Sequence, residues 1–526
     1  MRLQTAIGRG RTFASIAHKS GGRVAFNLAR LYARHLAATA LAAIRPRVRV
    51  SAEQVVAQWK SQVSAATSMI TLDPQDVFQP QAEKIERYSR FDVNDKNSIT
   101  RVSADKLYYR DIPYSTYSGE WHFHPGRIGG ELARLPLKDG RAARVANAVL
   151  NCFIELPNQG AALYYPKTFR LARLRSREYV YSAIAQGQLL AGYARLAQSS
   201  VASPPERAAW ADLATKIAAS LLFPFSDGGV NMEGRVLLEV PNFRSPPEIV
   251  LNGWMDALIH LHDYLGVGGT AELQSAFDAN VATLAKLLPH FDDESSRLSR
   301  YSNVSPYRVR VHFRRSLRDM PRVGLLYRSH LEGFSAYLIK DLWRDGCAQN
   351  YFENQILRFS RPYADVLVSS SSLYDLELQV AADATHMEVS SRPFGIWSAP
   401  TGTSARLFVI EPASRAGGDK TVFRLPSGLL TTGQPTDFAK GLNFYHTYHV
   451  VALLELSRMA REASARTVLR DMALKWLDYI DAPHKSVVKG RLHFADLALV
   501  HRQLSNGRGN RNPPRFEDLL SAATRA

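Results

Sequence analysis

Hydrophobic residues recur three and four positions apart through most of residues 121–290. The stretches GGELARL, RAARVANAVLNCFIEL, YSAIAQGQLLAGYARLAQ, AAWADLATKIAASLLFPF, IVLNGWMDALIHLHDYL and LQSAFDANVATLAKLLPHF carry the pattern. That spacing puts apolar side chains on one face of a helix. Gly and Pro separate the stretches, which predicts antiparallel helical pairs with short connections, an arrangement that can curl into an α/α toroid. The period changes between 301 and 435. YRVRVHFRR, ILRFSRPYADVLVSSSSLYDLELQVAAD, MEVSSRPFGIWSA, SARLFVIEPAS and KTVFRLPS are short alternating or β-branched runs broken by Gly, Pro and Ser, as in an antiparallel sheet or sandwich. Within them GFSAYLIKDLW (333–343) reads as one helix. Helical spacing returns at 448–480. Ahead of the helices, 51–85 reads as helical and 92–118, with YYRDIPYSTYSG, as an aromatic hairpin.

The fold class expected is therefore α+β and multidomain. A toroid-like helical domain in two parts, 119–300 and 441–504, would hold an inserted antiparallel β-rich domain at 301–440. A basic extension (1–50) and a helix-plus-hairpin region (51–118) precede it, and a loosely ordered tail (505–526) follows.

Composition narrows the partners. With 526 residues, 46% of them hydrophobic, the chain can build two or three cored domains. Two cysteines, Cys152 and Cys347, give no disulfide scaffold, iron–sulfur cluster or paired-cysteine zinc site. The formal charge of +18 favours an anionic partner. Zinc-finger spacing, an RNP-like strand and a GxxG loop in context are all missing, so nucleic acid is not the expected partner. Residues 1–50 hold ten Lys and Arg and no acid. Their helical stretch 23–48 is too interrupted to span a bilayer. It suits peripheral contact with an anionic membrane, a targeting segment or a plain extension. Localisation stays open. A homodimer is compatible with the helical cores, although no residue marks its face.

Several stretches carry candidate chemistry. In NFYHTYHV (443–450), His446 and His449 are three apart and share a helix face. A metal pair, a phenol–imidazole proton-transfer site and plain aromatic packing all fit that spacing, and HxxH alone is too few ligands for zinc. In LLEVPNFRSPPEIVLNGW (237–254), Glu239 precedes a proline turn that holds Arg244, and Asn252-Gly253 interrupts an apolar helix at a cost in propensity. A wall approaching a polar ligand, or tight helix packing, accounts for them. In YVYSAIAQGQLL, Tyr181, Gln186 and Gln188 put polar groups among Ala, Gly and Leu. In GEWHFHPGRIGG, Trp121, His124 and Arg127 crowd a turn where an aromatic ring and an arginine suit an acidic sugar. HFDDESSRLSRYS ends on Tyr301.

Taken in order, YSAIAQGQ (181–188), LLEVPNFRSPPEIVLNGWMDALIHLHDY (237–264), LLPHFDDESSRLSRY (287–301) and NFYHTYHVVALLEL (443–456) resemble segments of the D-glucuronyl C5-epimerase family, whose members act on heparosan-type chains. The resemblance implies a toroid-like catalytic domain with a β-rich companion and epimerisation of D-glucuronate to L-iduronate within an acidic polysaccharide. It implies catalytic roles for Glu239, Tyr445 and Tyr301; His446 is expected to assist them, and Tyr181, Gln186, Gln188, Arg244, Asn252, Trp121, His124, Arg127 and His449 to bind substrate, with no cofactor or metal. Two departures stand out: Val240 occupies the family's tyrosine position after the glutamate, and YSNVS replaces its YDLRH. About 140 β-patterned residues also separate Tyr301 from Tyr445, where the family has a short link. The same carbanion chemistry would serve a β-eliminating uronate lyase, and a non-catalytic polyanion-binding protein is the third reading.

Overall fold

The computed structural model describes residues 47–480 together with Ser521 and Thr524, apart from 63–67, 74–75, 93, 104–105, 118–119, 138–139, 167–178, 201, 240, 242–246, 296, 320, 340–358, 361, 392–405, 417–419, 431–433 and 436–443. The basic N-terminal stretch, Arg244 and nearly all of the C-terminal tail lie outside the described residues. No described helix is long and apolar enough to cross a membrane.

Ten helices are described: α1 (Ala52–Gln62), α2 (Ala82–Ser89), α3 (Pro125–Leu132), α4 (Arg141–Leu150), α5 (Ala183–Ala197), α6 (Pro204–Ser220), α7 (Leu251–Gly268), α8 (Ala271–Leu287), α9 (Phe444–Met459) and α10 (Ala463–Ile480). Helices α3, α5, α7 and α9 run parallel, side by side. Glycine makes the first two junctions possible. A Cβ on Gly129 of α3 would lie 2.8 Å from the Leu189 backbone nitrogen of α5, and one on Gly192 of α5 would lie 2.7 Å from Leu132 Cβ. Those matched positions fix α3 and α5 as parallel. Gly187 of α5 likewise sits against the Ala257 backbone of α7, where a Cβ would lie at 3.1 Å. Between α7 and α9, the Tyr448 hydroxyl donates to Asp256 Oδ1 at 2.6 Å.

The remaining helices return on the outside. Tyr181, at the start of α5, donates to Ser220 O at the end of α6 (2.9 Å). Trp254, early in α7, donates to Asn280 Oδ1, late in α8 (2.9 Å). His446, early in α9, bonds Trp476 O, late in α10 (3.0 Å). Helices α5, α7 and α9 thus each pair with an antiparallel outer one. The described residues form an arc of such pairs, with every inner N-terminus at the same end.

The β-rich part contains two six-stranded sheets. In one, Arg47–Val50, Leu407–Ile410, Ala384–Ser390, Val304–Phe313, Tyr363–Ser371 and Phe359–Ser360 lie in that order; in the other, Met69–Leu72, Ala336–Ile339, Val323–Ser329, Tyr374–Val380, Lys420–Leu425 and Ser414–Ala416. The Ser369 N–H of the first donates to Tyr327 Oη of the second at 3.4 Å, and neither sheet closes into a barrel. Inward residues such as Val309, Val311, Leu325 and Leu378 share one apolar core with the helices.

Three expectations are corrected. GFSAYLIKDLW is not a helix: its centre is the strand Ala336–Ile339, paired parallel with Met69–Leu72. Residues 51–85 are not continuously helical, because that same Met69–Leu72 strand interrupts them. The sheets are mixed rather than purely antiparallel, since Arg47–Val50 also pairs parallel with Leu407–Ile410. Sequence well before 301 therefore supplies an edge to each large sheet. The hairpin expectation at 92–118 is met by the antiparallel strands Ile99–Ser103, Lys106–Tyr109, Ile112–Tyr117 and Glu120–Phe123.

Gly129→Ala sets two effects against each other. Alanine improves helix propensity by about 0.8–1.0 kcal/mol. Overpacking against the α5 backbone costs roughly 1–3 kcal/mol, and backbone cannot swing aside as a side chain can. The substitution should lower the melting temperature in a thermal scan; an unchanged or raised midpoint would show that α3 and α5 do not meet this closely.

Candidate functional site

The shared end of the inner helices gathers much of the candidate chemistry. Glu239 is buried at the turn before α7. Its carboxylate presses on Gly253, where a Cβ would lie 2.3 Å from Glu239 Oε2. Only glycine leaves room for the acid, which explains the Asn-Gly break in an otherwise apolar helix. Leu238 O, one residue before Glu239, accepts from Ala183 N–H at the start of α5 (3.2 Å). The acid is thereby fixed to two inner helices at once.

Asn252 lies beside that glycine. It is buried, and its Oδ1 has no hydrogen-bond partner among the described residues. Gln186 is fully buried: its amide donates to Leu163 O at 3.4 Å, and its Oε1 likewise has no hydrogen-bond partner among the described residues. Neither α5 nor α7 is capped by a side chain at its N-terminus. Helix N-termini carry unsatisfied N–H groups and a partial positive charge, which suits a carboxylate ligand.

The strand Leu298–Ser302 brings Tyr301 to the same end. Ser302 bridges Val250, immediately before α7, and the Asn303 side chain accepts from Ile249 N–H at 2.7 Å. Tyr445, in the first turn of α9, packs its ring on Tyr301 with centroids 4.9 Å apart. Two phenols expected in one site from positions 144 residues apart are thus in contact, and both are half-buried.

His446 and His449 do not join them. Both are fully buried behind the tyrosines. His446 Nε2–H donates to Trp476 O, so its Nδ1 is an acceptor, and Ser299 N–H fills it at 2.9 Å. The Ser299 hydroxyl then meets His449 Nδ1 at 2.7 Å. One serine locks both histidines and ties α9 to the strand that bears Tyr301. Burial pushes His446 down to about 4. Burial, and His446 after it, drive His449 well below its ordinary value. Both are buried anchors in this arrangement, His446 expected as catalytic and His449 as substrate-binding, and neither is part of the half-buried tyrosine pair.

Other expected residues divide. Tyr181, expected to bind substrate, is fully buried, and its hydroxyl donates to Ser220 O. Gln188 donates to Asp256 Oδ2 at 3.2 Å, and Asp256 also accepts from Tyr448, joining α5, α7 and α9. His124 caps α3, its Nδ1 accepting from Arg127 N–H at 3.2 Å, which leaves the proton on Nε2. Burial first, then the Arg127 charge, push it down to about 3. Arg127 itself is exposed, and Trp121 is half-buried with the Arg101 guanidinium 5.7 Å from its ring centre.

Tyr165 was not singled out from sequence, yet it links these groups. Its ring packs edge-on against His124 at 5.4 Å, and its hydroxyl accepts from Gly126 N–H at 3.3 Å. Burial, with Glu239 nearby, raises its pKa, so the phenol stays protonated. Asp256 was also missed. An acid within an apolar helical run announces nothing until Gln188 and Tyr448 converge on it.

The histidine anchors predict a pH response. The His446 pKa falls from 6.5 in the unfolded chain to about 4 in the folded one. The unfolded state therefore binds more protons, and stability present above the unfolded value is lost as pH falls towards the folded value. Between about pH 7 and about pH 5, His446 should account for roughly 2 kcal/mol of lost stability. Urea unfolding of the wild type and of His446→Gln should show the flatter profile in the variant; parallel profiles would mean the imidazole is not buried neutral.

No curated protein matches the chain. Residues 165–312 match the family described as D-glucuronyl C5-epimerase C-terminus. That stretch is somewhat over a quarter of the chain. It holds Tyr165, Gln186, Gln188, Glu239, Asn252 and Tyr301 and stops before α9. Over those residues the chain is similar to the D-glucuronyl C5-epimerase C-terminus.

Proposed function

We propose that the protein epimerises D-glucuronate residues to L-iduronate at C5 within an acidic polysaccharide such as heparosan. The observation that supports this reading is that Glu239, Asn252 and the Tyr301–Tyr445 pair all belong to the common N-terminal end of the inner helices. Removing the C5 proton turns the uronate carboxyl into an enediolate, so negative charge grows on the carboxyl oxygens. Uncapped helix N-termini and the Asn252 amide are suited to stabilise charge at that position. One group takes the C5 proton from one face of the ring and another returns a proton to the opposite face, with no change in oxidation state.

Glu239 and Tyr445 are the proposed pair. Glu239 is a carboxylate held in place by the Gly253 wall. Tyr445 offers a phenol on the rigid first turn of α9, and Tyr301 fixes its ring. Tyr165 presents a neutral phenol near Glu239, His124 packs on Tyr165, and the exposed Arg127 is available to an acidic chain. The net charge of +18 supports attraction of such a chain, in a salt-dependent way.

The test is incubation with heparosan, and separately with other glucuronans, in deuterated water. C5 deuterium, iduronate signals and intact chains are expected. Unsaturated ends would mean a lyase, and binding with neither change would mean a non-catalytic polyanion-binding protein.

Within that assay, Glu239→Gln and Tyr445→Phe should each reduce exchange by at least about 100-fold, the lower range for a positioned acid or base. Retained exchange in either removes that residue from the scheme. Gly253→Ala should also suppress exchange by displacing the carboxylate; circular dichroism would separate that loss from unfolding.

A further inference from the structure

The turn Met232–Arg235 joins the short strands Asn231–Met232 and Val236–Leu237, and Arg235 N–H donates to Met232 O across it at 3.0 Å. Both central residues have positive φ, Glu233 at 54° and Gly234 at 72°. Turns of that form favour Asn or Asp followed by Gly, and a longer side chain in the left-handed region is strained. Contacts with the second large sheet hold Glu233 there. Its carboxylate accepts from Ser335 N–H at 3.1 and 3.2 Å, one distance to each oxygen, and from the Tyr337 hydroxyl at 2.6 Å. Arg235 donates to Gly333 O at 3.1 Å, so the turn grips the chain on both sides of Phe334.

We propose, on the uronate reading of Glu239, that Glu233 is a positioning residue through which the second large sheet sets the place of that acid. Every residue between the two acids is tied down. Gly234 O accepts from Asn280 Nδ2 of α8 at 3.4 Å, while Asn280 Oδ1 accepts from Trp254, the residue after Gly253, at 2.9 Å. Arg235 holds Gly333 O, and Val236 and Leu237 pair with Met232 and Asn231. Leu238 N–H donates to Val230 O at 2.8 Å, and Leu238 O accepts from Ala183 N–H at 3.2 Å. Val236, Leu237 and Leu238 are all buried.

A hairpin with so little slack carries a shift of its tip to Glu239. The carboxylate cannot compensate, because it already presses on Gly253. A displacement of about 1 Å at a reacting group can cost about 100-fold in rate. Turn chemistry alone does not select Glu at position 233. Asn suits the left-handed position better, but its side chain is shorter by one methylene. The length of Glu serves the reach to Ser335 and Tyr337 instead, and a strained residue persists where its surroundings over-determine it.

The test uses the full chain with heparosan in deuterated water, and amide hydrogen exchange read by mass spectrometry. Glu233→Asn should lower kcat for C5 exchange about 10–100-fold with KM nearly unchanged, and should speed amide exchange at 236–239. Glu233→Gln, which keeps the length and one acceptor oxygen, should restore most of both. Tyr337→Phe removes only the donor hydroxyl and should act in the same direction; combined with Glu233→Asn it should be no slower than Glu233→Asn alone, since both break one contact. If Glu233→Asn does not fold, Tyr337→Phe decides by the same readouts. Wild-type kcat and amide exchange in Glu233→Asn, as for a residue serving the turn alone, would overturn the proposal, and so would additive losses in the double variant. A wild type that exchanges no C5 hydrogen would sink the uronate reading separately, and amide exchange at 236–239 in the variants would still decide whether the sheet sets the place of Glu239.

Discussion

The close approach of the inner helices is the constraint on which the rest depends. Gly129, Gly192 and Gly187 let α3, α5 and α7 meet almost backbone to backbone. Larger residues would splay the arc and separate the helix N-termini. Gly253 extends the same principle from helix packing to the site, since it makes the space in which the Glu239 carboxylate sits. Packing and chemistry thus have one physical origin: backbone brought close enough for a buried acid to be held without freedom to move.

The β-rich part contributes by position. It occupies the long chain between α8 and α9 and returns the polypeptide so that Tyr445 lands on Tyr301. The junction is secured by Ser299, whose backbone and hydroxyl hold both histidines of the α9 entrance. The site therefore depends on parts of the chain outside the stretch that matches the epimerase family, and α9 enters it by geometry alone.

Much of this was legible in the sequence. Helical periodicity located α3 to α10 because each buries one face against a neighbour. The conspicuous pairing of Tyr and His in YHTYH marked a real junction, but spacing cannot separate a histidine aimed at a cleft from one turned into the core. Ser299, distant in sequence, decides that. The Ala336–Ile339 strand was misread because a short apolar run looks alike in helix and strand, and its parallel partner lies more than 250 residues earlier. Tyr165 and Asp256 were silent for the same reason: their meaning comes from tertiary neighbours.

The central claim is that an acidic sugar is held at the shared helix N-termini with Glu239 and Tyr445 on opposite faces of its ring. A crystal structure of the Glu239→Gln protein with a glucuronate-containing oligosaccharide tests it most directly. The uronate carboxylate is predicted to lie against the first turn of α7 near Asn252, with residue 239 and Tyr445 flanking C5. A saccharide bound elsewhere on the molecule, or one whose C5 faces neither residue, would contradict the account.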